Sequence, residues 1–235
     1  QAAVAVTATA GDILAEAGAG IEMVDGATAT AGGDLRFEAK GGDAEVTGLK
    51  STAADGAAMV KASGDIVDAG ETAKDVEAAS VQLMAGGSVG ERAGQNNGPL
   101  DLEVATLAAQ AGALGSVYLS EADGLFVGTV AAIDVNRVDM DSTSLPTADG
   151  AALSGAVAGQ NVKIENGVDA AGDLTVNDVV TATAGDVLLD AKDGDLLVNA
   201  AVTAGDDATL LASGDIVQAA VAVTATAGDI LAEAG

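Results

Sequence analysis

The 235-residue sequence contains no cysteine and no histidine. Without cysteine there can be no disulfide framework, thiolate nucleophile or zinc–thiolate site. Without histidine, the side chain that most often acts as general base or metal ligand is missing. Tryptophan is also absent, and the chain has only one tyrosine and two phenylalanines. A globular core would therefore be thin, because aromatic rings contribute large buried areas.

Basic residues are few. The chain has nine Lys and Arg and 36 Asp and Glu, which gives a formal net charge of −27. A field of this sign repels nucleic acid and anionic membrane surfaces, so we expect no nucleic-acid partner. No apolar run approaches the roughly 20 residues of a membrane helix, so we expect no membrane insertion. The acidic surface attracts divalent cations. We therefore expect no dedicated cofactor but leave weakly bound calcium open.

The clearest positive feature is a repeated segment of eighteen amino acids. The segment 1–18 returns unchanged as 218–235, so Gln218 stands where a second repeat would begin. Self-similarity at a fixed period is the signature of repeat architectures. We expect residues 1–235 to form a single continuous solenoid segment. It would comprise one 217-residue tandem repeat plus an 18-residue overlap, 218–235, cut from a longer array.

A shorter period lies inside the long one. Gly-Asp pairs begin at Gly185, Gly194, Gly205 and Gly214, and alternate pairs share one spacing of about 20 residues. The segments that follow alternate apolar and polar residues, as in Asp-Val-Leu-Leu-Asp-Ala, which is typical of a strand with one buried face. Between them lie β-branched segments such as Val-Val-Thr-Ala-Thr.

The sequence therefore predicts an all-β fold: a right-handed parallel β-helix, or β-solenoid, with three short strands per coil of about 20–23 residues. A β-sandwich and a helical fold are the alternatives. Frequent glycine, valine and threonine oppose long helices, and the apolar spacing is two rather than 3.6. At about 21 residues per coil, one repeat would make about ten coils and advance about 50 Å.

Each Gly-Asp pair is predicted to form a corner of the coil. We expect the glycine to adopt a positive φ and the aspartate to accept backbone N–H groups at the corner. Two stretches lack the strand pattern and are rich in turn residues, namely residues 85–99 and 136–150. We predict that both are loops projecting from the coil stack.

The Gly-Asp-(Ile/Val/Leu)-x-x-x-Ala units and the run Gly115-Ser-Val-Tyr-Leu-Ser-Glu-Ala-Asp-Gly-Leu125 resemble the filamentous-haemagglutinin-type repeats of large secreted bacterial adhesins. The resemblance covers most of the chain. It implies a right-handed parallel β-helix, a place outside the cell or on the bacterial cell surface, and export of the kind known as two-partner secretion.

On this basis we expect a structural repeat of an extracellular fibre or adhesin stalk, stacked head to tail on neighbouring copies of itself. One alternative is a ligand-binding adhesin module that uses loops 85–99 and 136–150 to hold a host or surface ligand. A more remote alternative is a β-helix enzyme acting on polysaccharides.

An enzyme of that kind needs clustered carboxylates beside arginine or lysine. The chain has three arginines, Arg36, Arg92 and Arg137, and its close acid pairs are what 36 acidic residues produce by chance; these pairs are Asp139 with Asp141 and Asp206 with Asp207. We therefore expect no enzyme, and we assign no catalytic, cofactor-binding or metal-binding residue.

Two further patterns are candidates for binding surfaces. Residues 192–195 and 205–207 are the best local matches to a calcium loop. Thr-x-Thr pairs could stack into flat hydroxyl rows like those of ice-binding solenoids; the pairs are Thr7/Thr9, Thr28/Thr30, Thr181/Thr183 and Thr224/Thr226. We expect such rows to be interrupted over the middle coils, which favours a plain role as β-branched strand residues.

Overall fold

A computed structural model describes residues 3–70, 74–92, 98–147 and 150–235, the side chain of residue 147 excepted. All regular structure in these ranges is β. Because the described residues contain no helix, they contain none that could cross a membrane.

The first half of the chain forms strands β1 (Ala5–Ala8), β2 (Ile13–Ala17), β3 (Ile21–Glu22), β4 (Thr28–Ala31), β5 (Leu35–Ala39), β6 (Ala44–Val46), β7 (Leu49–Ser51), β8 (Ala57–Ala62), β9 (Ile66–Asp68), β10 (Val76–Ala85), β11 (Leu100–Gln110), β12 (Val117–Glu121) and β13 (Leu125–Val127). The second half forms β14 (Thr129–Val130), β15 (Val135–Val138), β16 (Ser144–Thr147), β17 (Leu153–Ser154), β18 (Ala156–Ala158), β19 (Val162–Asn166), β20 (Leu174–Val176), β21 (Val180–Ala182), β22 (Val187–Ala191), β23 (Leu196–Val198), β24 (Val202–Ala204), β25 (Ala208–Ala212), β26 (Ile216–Gln218), β27 (Val223–Ala225) and β28 (Ile230–Ala234).

These strands wind into a β-solenoid of about ten turns. In the first coils, three stacks of parallel strands form the three faces, namely β1–β4–β7, β2–β5–β8 and β3–β6–β9. In the last coils, the three stacks are β12–β19–β22–β25–β28, β13–β20–β23–β26 and β18–β21–β24–β27. The predicted parallel solenoid with three short strands per coil is confirmed.

The coil length varies more than the sequence pattern predicts. Ile13 pairs with Leu35 in the next coil, an offset of 22. In the middle of the chain, β10 and β11 each run across two faces, and Val76 pairs with Leu102 at an offset of 26. The coil that follows holds an insertion, so that Val117 pairs with Val162. The expected coil of about 20–23 residues therefore occurs only towards the two ends.

The core is a column of stacked aliphatic side chains. Inward positions carry Val, Leu, Ile and Ala in parallel register, as in the ladder Val117, Val162, Val187 and Ala208. Each of these residues is fully or almost fully buried. Burial of an aliphatic side chain of this size contributes roughly 1.5–3 kcal/mol, so the repetition of small contributions replaces the missing aromatic core.

The Gly-Asp corners work differently from the prediction. The carboxylate of Asp43 accepts the backbone N–H of Asp65, one coil later, at 2.8 Å. Seven such bonds, between 2.6 and 3.2 Å, link eight successive coils; the accepting side chains are those of residues 43, 65, 88, 116, 161, 186 and 207, and the last donor is the backbone N–H of Asp229. Each corner side chain thus caps the coil above it, which satisfies a backbone donor that the strand ladders leave free.

The glycine of each pair is needed because the neighbouring coil approaches it closely, and not because its φ is positive. Positive φ occurs at six described glycines, and none of these precedes an aspartate. Instead, a Cβ on Gly64 would collide with the carboxylate of Asp43 below it. The expectation of positive φ at these corners was wrong, because the corner carboxylate leans over the glycine of the next coil and needs the space of the missing side chain.

The predicted loop 85–99 has little regular structure in its described part, but residues 85–89 follow the coil stack and do not project from it. Ala85 ends β10, and buried Val89 forms parallel bridges with Ile66 and Val117. Its apolar side chain therefore continues the core ladder, with residues 87 and 88 acting as a corner. Residues 93–97 lie outside the described residues.

The predicted loop 136–150 belongs to an antiparallel excursion from the solenoid. β14 pairs with β17, and β15 pairs with β16 as a hairpin. We call residues 129–154, apart from 148 and 149 outside the described residues, the strap. The predicted loop therefore does leave the coil stack, but residues 136–138 and 144–147 of it are paired strand.

Candidate functional site

The strap lies along the outer surface of the first half of the solenoid. A second apolar cluster joins it to the sheet, in which Val130, Ile133 and Val135 pack with Met59 and Ala108. These five residues are at most 3% exposed. Met59 and Ala108 occupy outward positions of β8 and β11, where a solvent-facing strand would carry polar residues, and the strap covers them.

A buried glutamine fastens the base of the strap. Gln82 stands at an outward position of β10 and is fully buried. Its side-chain Nε2 donates to the carbonyl oxygens of Val130 at 3.0 Å, Ala131 at 2.8 Å and Ala151 at 3.1 Å. A buried amide that satisfies several backbone acceptors fixes both limbs of the strap in one position.

The hairpin end of the strap lies on the first coil. The backbone N–H of Asn136 donates to the carboxylate of Asp12 at 3.4 Å, and Arg137 forms an ion pair with Glu16 of β2. The strap therefore runs from the level of Gln82 down to the level of β2, along the solenoid axis. It is held against the surface over this length. The sequence had predicted a loop that projects from the coil stack.

The hairpin tip is ordered within itself and carries exposed apolar side chains. The N–H of Asp139 donates to the carbonyl of Thr143, and the N–H of Ser142 donates to the carbonyl of Asp139, both at 2.9 Å. The hydroxyl and backbone N–H of Thr143 hold the pKa of Asp141 below its usual range. Around this turn Val138 is 73% exposed, Met140 is fully exposed and Leu145 is 55% exposed.

A charged row lies beside the apolar cluster on the same outer face. Arg36 stands between Leu14 and Met59 in the strand ladder and is 1% exposed. Its guanidinium contacts Glu38 at 3.2 Å, while Lys61 contacts the other oxygen of Glu38 at 3.2 Å. Burial opposes ionisation of Glu38, but the hydrogen bonds from the two cations outweigh it and hold the pKa of this carboxyl below its usual range. The row is paired internally, which suits a covered surface.

Two buried carboxyls lie at corners and bind backbone groups. The Glu121 oxygens accept the N–H of Val104 at 2.9 Å and of Asp123 at 2.8 Å, and burial raises the pKa of Glu121 to about 7. Asp75 accepts the N–H of Asp101 at 2.8 Å, and burial, with the neighbouring Asp68, raises its pKa to about 9. The sequence analysis missed both, since nothing in the local pattern separates them from exposed acids.

The acidic candidates for calcium take part in the corner ladder. Asp207 accepts from the backbone N–H of Asp229, and Asp195 accepts from that of Asp215, each through one carboxylate oxygen. Among the described residues, no three acidic side chains cluster in a way that could hold a metal ion. The remaining acid pair, Asp139 with Asp141, shapes the hairpin turn.

The candidate arginines lie in different settings. Arg36 is buried beside the strap, and Arg137 is bound to Glu16 at its far end. Arg92 lines an open cleft of about 260 Å³ with Tyr118, and Tyr118 accepts a hydrogen bond from Asn161 at 3.2 Å. The three arginines thus lie at separate places on the solenoid surface.

The threonine rows are short. Thr181, Thr203 and Thr224 stack in register on one face, and Thr7 pairs with Thr30 on another. The next partner of Thr30 is Lys50. The predicted interruption of the rows is confirmed.

Both ends of the described solenoid expose apolar strand edges. At the start of the chain, Val4, Val6, Ile13 and Met23 line a cleft of about 400 Å³ that opens into the core. At the other end, Val217, Ile230 and Leu231 are each about half exposed; the first belongs to β26 and the others to β28. In the described chain β1 and β2 are each paired on one side, by β4 and β5, and β27 and β28 likewise, by β24 and β25.

The two copies of the eighteen-residue segment occupy opposite edges. β1 and β2 belong to the first copy, and β27 and β28 carry the same residues in the second. The first copy is covered from above by β4 and β5, whereas in the described chain no strand pairs with the second copy from above. As a result, Ile13 is 9% exposed and its counterpart Ile230 is 52% exposed.

The ladders show that the second copy is displaced by one strand position around the coil. Followed down through eight coils, Ile230 stands above Ile21 of β3, although its sequence counterpart is Ile13 of β2; the steps are 230, 208, 187, 162, 117, 89, 66, 44 and 21. Val223, the counterpart of Val6 in β1, likewise stands above Ala15 of β2. One period of 217 residues therefore corresponds to eight complete turns of the solenoid and about a third of a ninth turn.

Comparison of the chain with models of protein families, with curated proteins and with solved structures found no match.

Proposed function

We propose that the protein is a structural repeat of an extracellular bacterial fibre or adhesin stalk, which stacks head to tail on further copies of itself. The observation that carries the proposal is the pair of identical segments at opposite edges. The first copy already binds β4 and β5 along its upper edge, and the second offers the same residues with that edge open. The edges of β4 and β5 therefore fit the second copy of a neighbouring chain as well, once it takes the place of their own first copy.

The mechanical logic follows from the ladders. Parallel strands in register continue across each coil, so a stack of repeats forms one unbroken set of hydrogen-bonded ladders along the axis. Open edges of this kind template further pairing, and a solenoid is stable when neighbouring repeats cover each other. With eight turns and about a third per repeat, at about 4.8 Å per turn, the axial advance is about 40 Å. This replaces the advance of about 50 Å that an even coil of about 21 residues would give.

Placement outside the cell rests on the resemblance to filamentous-haemagglutinin-type repeats and on the charge. A net charge of −27 along a long rod limits sideways association, since like-charged rods repel at moderate ionic strength. Because the chain has no cysteine, it can form no disulfide bond in an oxidising environment and has none to lose in a reducing one.

The proposal is tested by imaging the purified chain over a range of concentrations. We expect rods that lengthen with concentration while their width stays constant. A chain that remains a monomer with both ends free at millimolar concentration would overturn the proposal. Equal growth in width and length would point to unspecific association instead.

A ligand-binding adhesin module is the second candidate, favoured by the exposed apolar tip of the strap. Met140 and its neighbours Val138 and Leu145 face solvent in the isolated chain. Binding of a glycan or a host protein that is lost when these three residues are changed to serine, with rod formation unaffected, would support this candidate over the structural role of the tip.

A further inference from the structure

We propose that the tip of the strap is a clamp that docks on the last coils of a second copy of the chain, across the seam between repeats. This inference rests on the proposed head-to-tail stacking and names the surface that secures it. The occupant is a second copy, and the contact surface is the outer face of β25 and β22, at Leu211 and Leu188.

The direction of the strap places its tip beyond the first coil. Between Ala131, which binds Gln82 in the fourth coil, and Asn136, which binds Asp12 in the first, the strap crosses three coil levels. Extended chain advances about 3.3 Å per residue, so the residues after Arg137 reach about 10 Å further, or about two more coils. The exposed side chains of Val138 and Met140 lie on this overhang, and exposed Leu145 lies opposite Arg137 at its base.

The repeated segment identifies what lies under the overhang in a stack. The strap holds Asp12 and Glu16 of the first copy, and Leu14 packs against its apolar cluster. The second copy presents the same residues as Asp229, Glu233 and Leu231, and Leu231 is 47% exposed where no strap covers it. When the second copy of one molecule displaces the first copy of the next from β4 and β5, the strap of that next molecule loses its own Asp12, Glu16 and Leu14 and finds the same three partners on the second copy.

The coils directly below these partners carry the matching apolar surface. Glu233 pairs with Leu211 of β25, and Leu231 pairs with Thr209, which in turn pairs with Leu188 of β22. Leu211 and Leu188 are outward-facing and only half-buried. Two outward leucines at the level that the tip reaches provide the apolar counterpart for Met140 and its neighbours.

The displacement of the second copy by one strand position fixes where successive straps lie. Each repeat begins about a third of a turn further around the axis, so each strap is rotated by about 120° from the strap before it. Three repeats return the strap to the same face. The seams are then clamped from three sides in succession, which braces the fibre against bending in every direction.

Engineered disulfides test the clamp in the full chain, which has no cysteine of its own. In the double variant Met140→Cys with Leu211→Cys, mild oxidation is expected to link different molecules into covalent dimers and longer chains. An intramolecular bond is excluded because the strap tip lies at the first coil and Leu211 stands near the opposite end of the solenoid. The matched control pairs Met140→Cys with Thr181→Cys, which faces outward from a different face of the solenoid and is expected to stay unlinked.

The outcomes separate the clamp from the stacking. Rods that form without the 140–211 link, or that link 140–181 equally well, contradict the clamp and leave the stacking in place. A chain that forms no assemblies contradicts both.

An independent variant tests the apolar contact itself. Changing Val138, Met140 and Leu145 together to aspartate is expected to weaken assembly at least tenfold with an unchanged melting temperature, because these side chains are largely exposed in the isolated chain. Unchanged assembly in this variant overturns the clamp.

Discussion

Replacement of Gln82 by methionine is expected to release the strap without unfolding the solenoid. The side chain of methionine has nearly the same length and shape, so the space beneath the strap stays filled. It removes the two N–H donors that are shared among the carbonyls of Val130, Ala131 and Ala151. The glutamine oxygen is buried without a partner among the described residues, so its removal breaks no further hydrogen bond.

The expected magnitude follows from these bonds. Two lost hydrogen bonds at about 1 kcal/mol each weaken the docking of the strap by about 2 kcal/mol. At about 1.4 kcal/mol per factor of ten, the open state of the strap becomes about 30-fold more populated. The core ladders do not involve this side chain, so the free energy of global unfolding is expected to change by much less.

Hydrogen exchange with mass spectrometry measures this directly. Amides of β15 and β16 are expected to exchange about 30-fold faster in Gln82→Met, with β22 unchanged as an internal reference. The control Gln110→Met removes an exposed glutamine from the same outer face of β11 and is expected to leave the strap unchanged. Equal exchange of the strap in the wild type and in Gln82→Met would refute the view that this buried amide fastens it.

Three further results are expected. Gly64→Ala is expected to lower the free energy of unfolding, measured by urea titration, by about 1–3 kcal/mol, because the new Cβ pushes the carboxylate of Asp43 away from its backbone partner. The control Gly11→Ala is expected to leave the free energy of unfolding unchanged, because no atom lies within 4 Å of its new Cβ. The raised pKa of Asp75 means that the folded state binds its proton more tightly, so stability is expected to fall as pH rises from about 4 towards about 9; Asp75→Asn should flatten this dependence, and an unchanged pH profile would contradict the assignment. Chelation of divalent ions is expected to leave the melting temperature unchanged, and a rise on adding calcium that magnesium does not reproduce would contradict the use of the corner carboxylates as backbone caps.

The strands could be predicted from the sequence because each inward position repeats at a spacing of two. β22 alternates buried and half-buried side chains as the pattern predicts. The Gly-Asp corners were located correctly, but their chemistry was not, since the carboxylate acts on the coil above and a single coil read in isolation cannot reveal that partner. Coil-to-coil contacts depend on register, which local patterns do not encode.

The strap was the main feature that the sequence hid. Its hairpin carries turn residues and reads as a loop, and its docking depends on a glutamine and a methionine at outward positions of distant strands. A signal was available in the apolar residues at outward positions, Leu14 and Met59, which break the polar face of an exposed strand. Such a break indicates that something covers the face, although it does not identify the cover.

The displacement of the repeat by a third of a turn could not be derived from the 217-residue period. It depends on how much chain each coil consumes, and the offset between paired positions varies from 22 at the first coil to 45 at the coil that holds the strap. The two long strands in the middle of the chain shift the corners as well. Only the ladder of paired residues from Ile21 to Ile230 counts the turns correctly.

The most direct test of head-to-tail stacking with this displacement is an image reconstruction of the assembled rods. We predict ladders spaced by about 4.8 Å, an axial repeat of about 40 Å, and strap density that returns to the same face only after three repeats, or about 120 Å. Straps aligned on a single face, or an axial repeat that corresponds to a whole number of turns, would contradict the account.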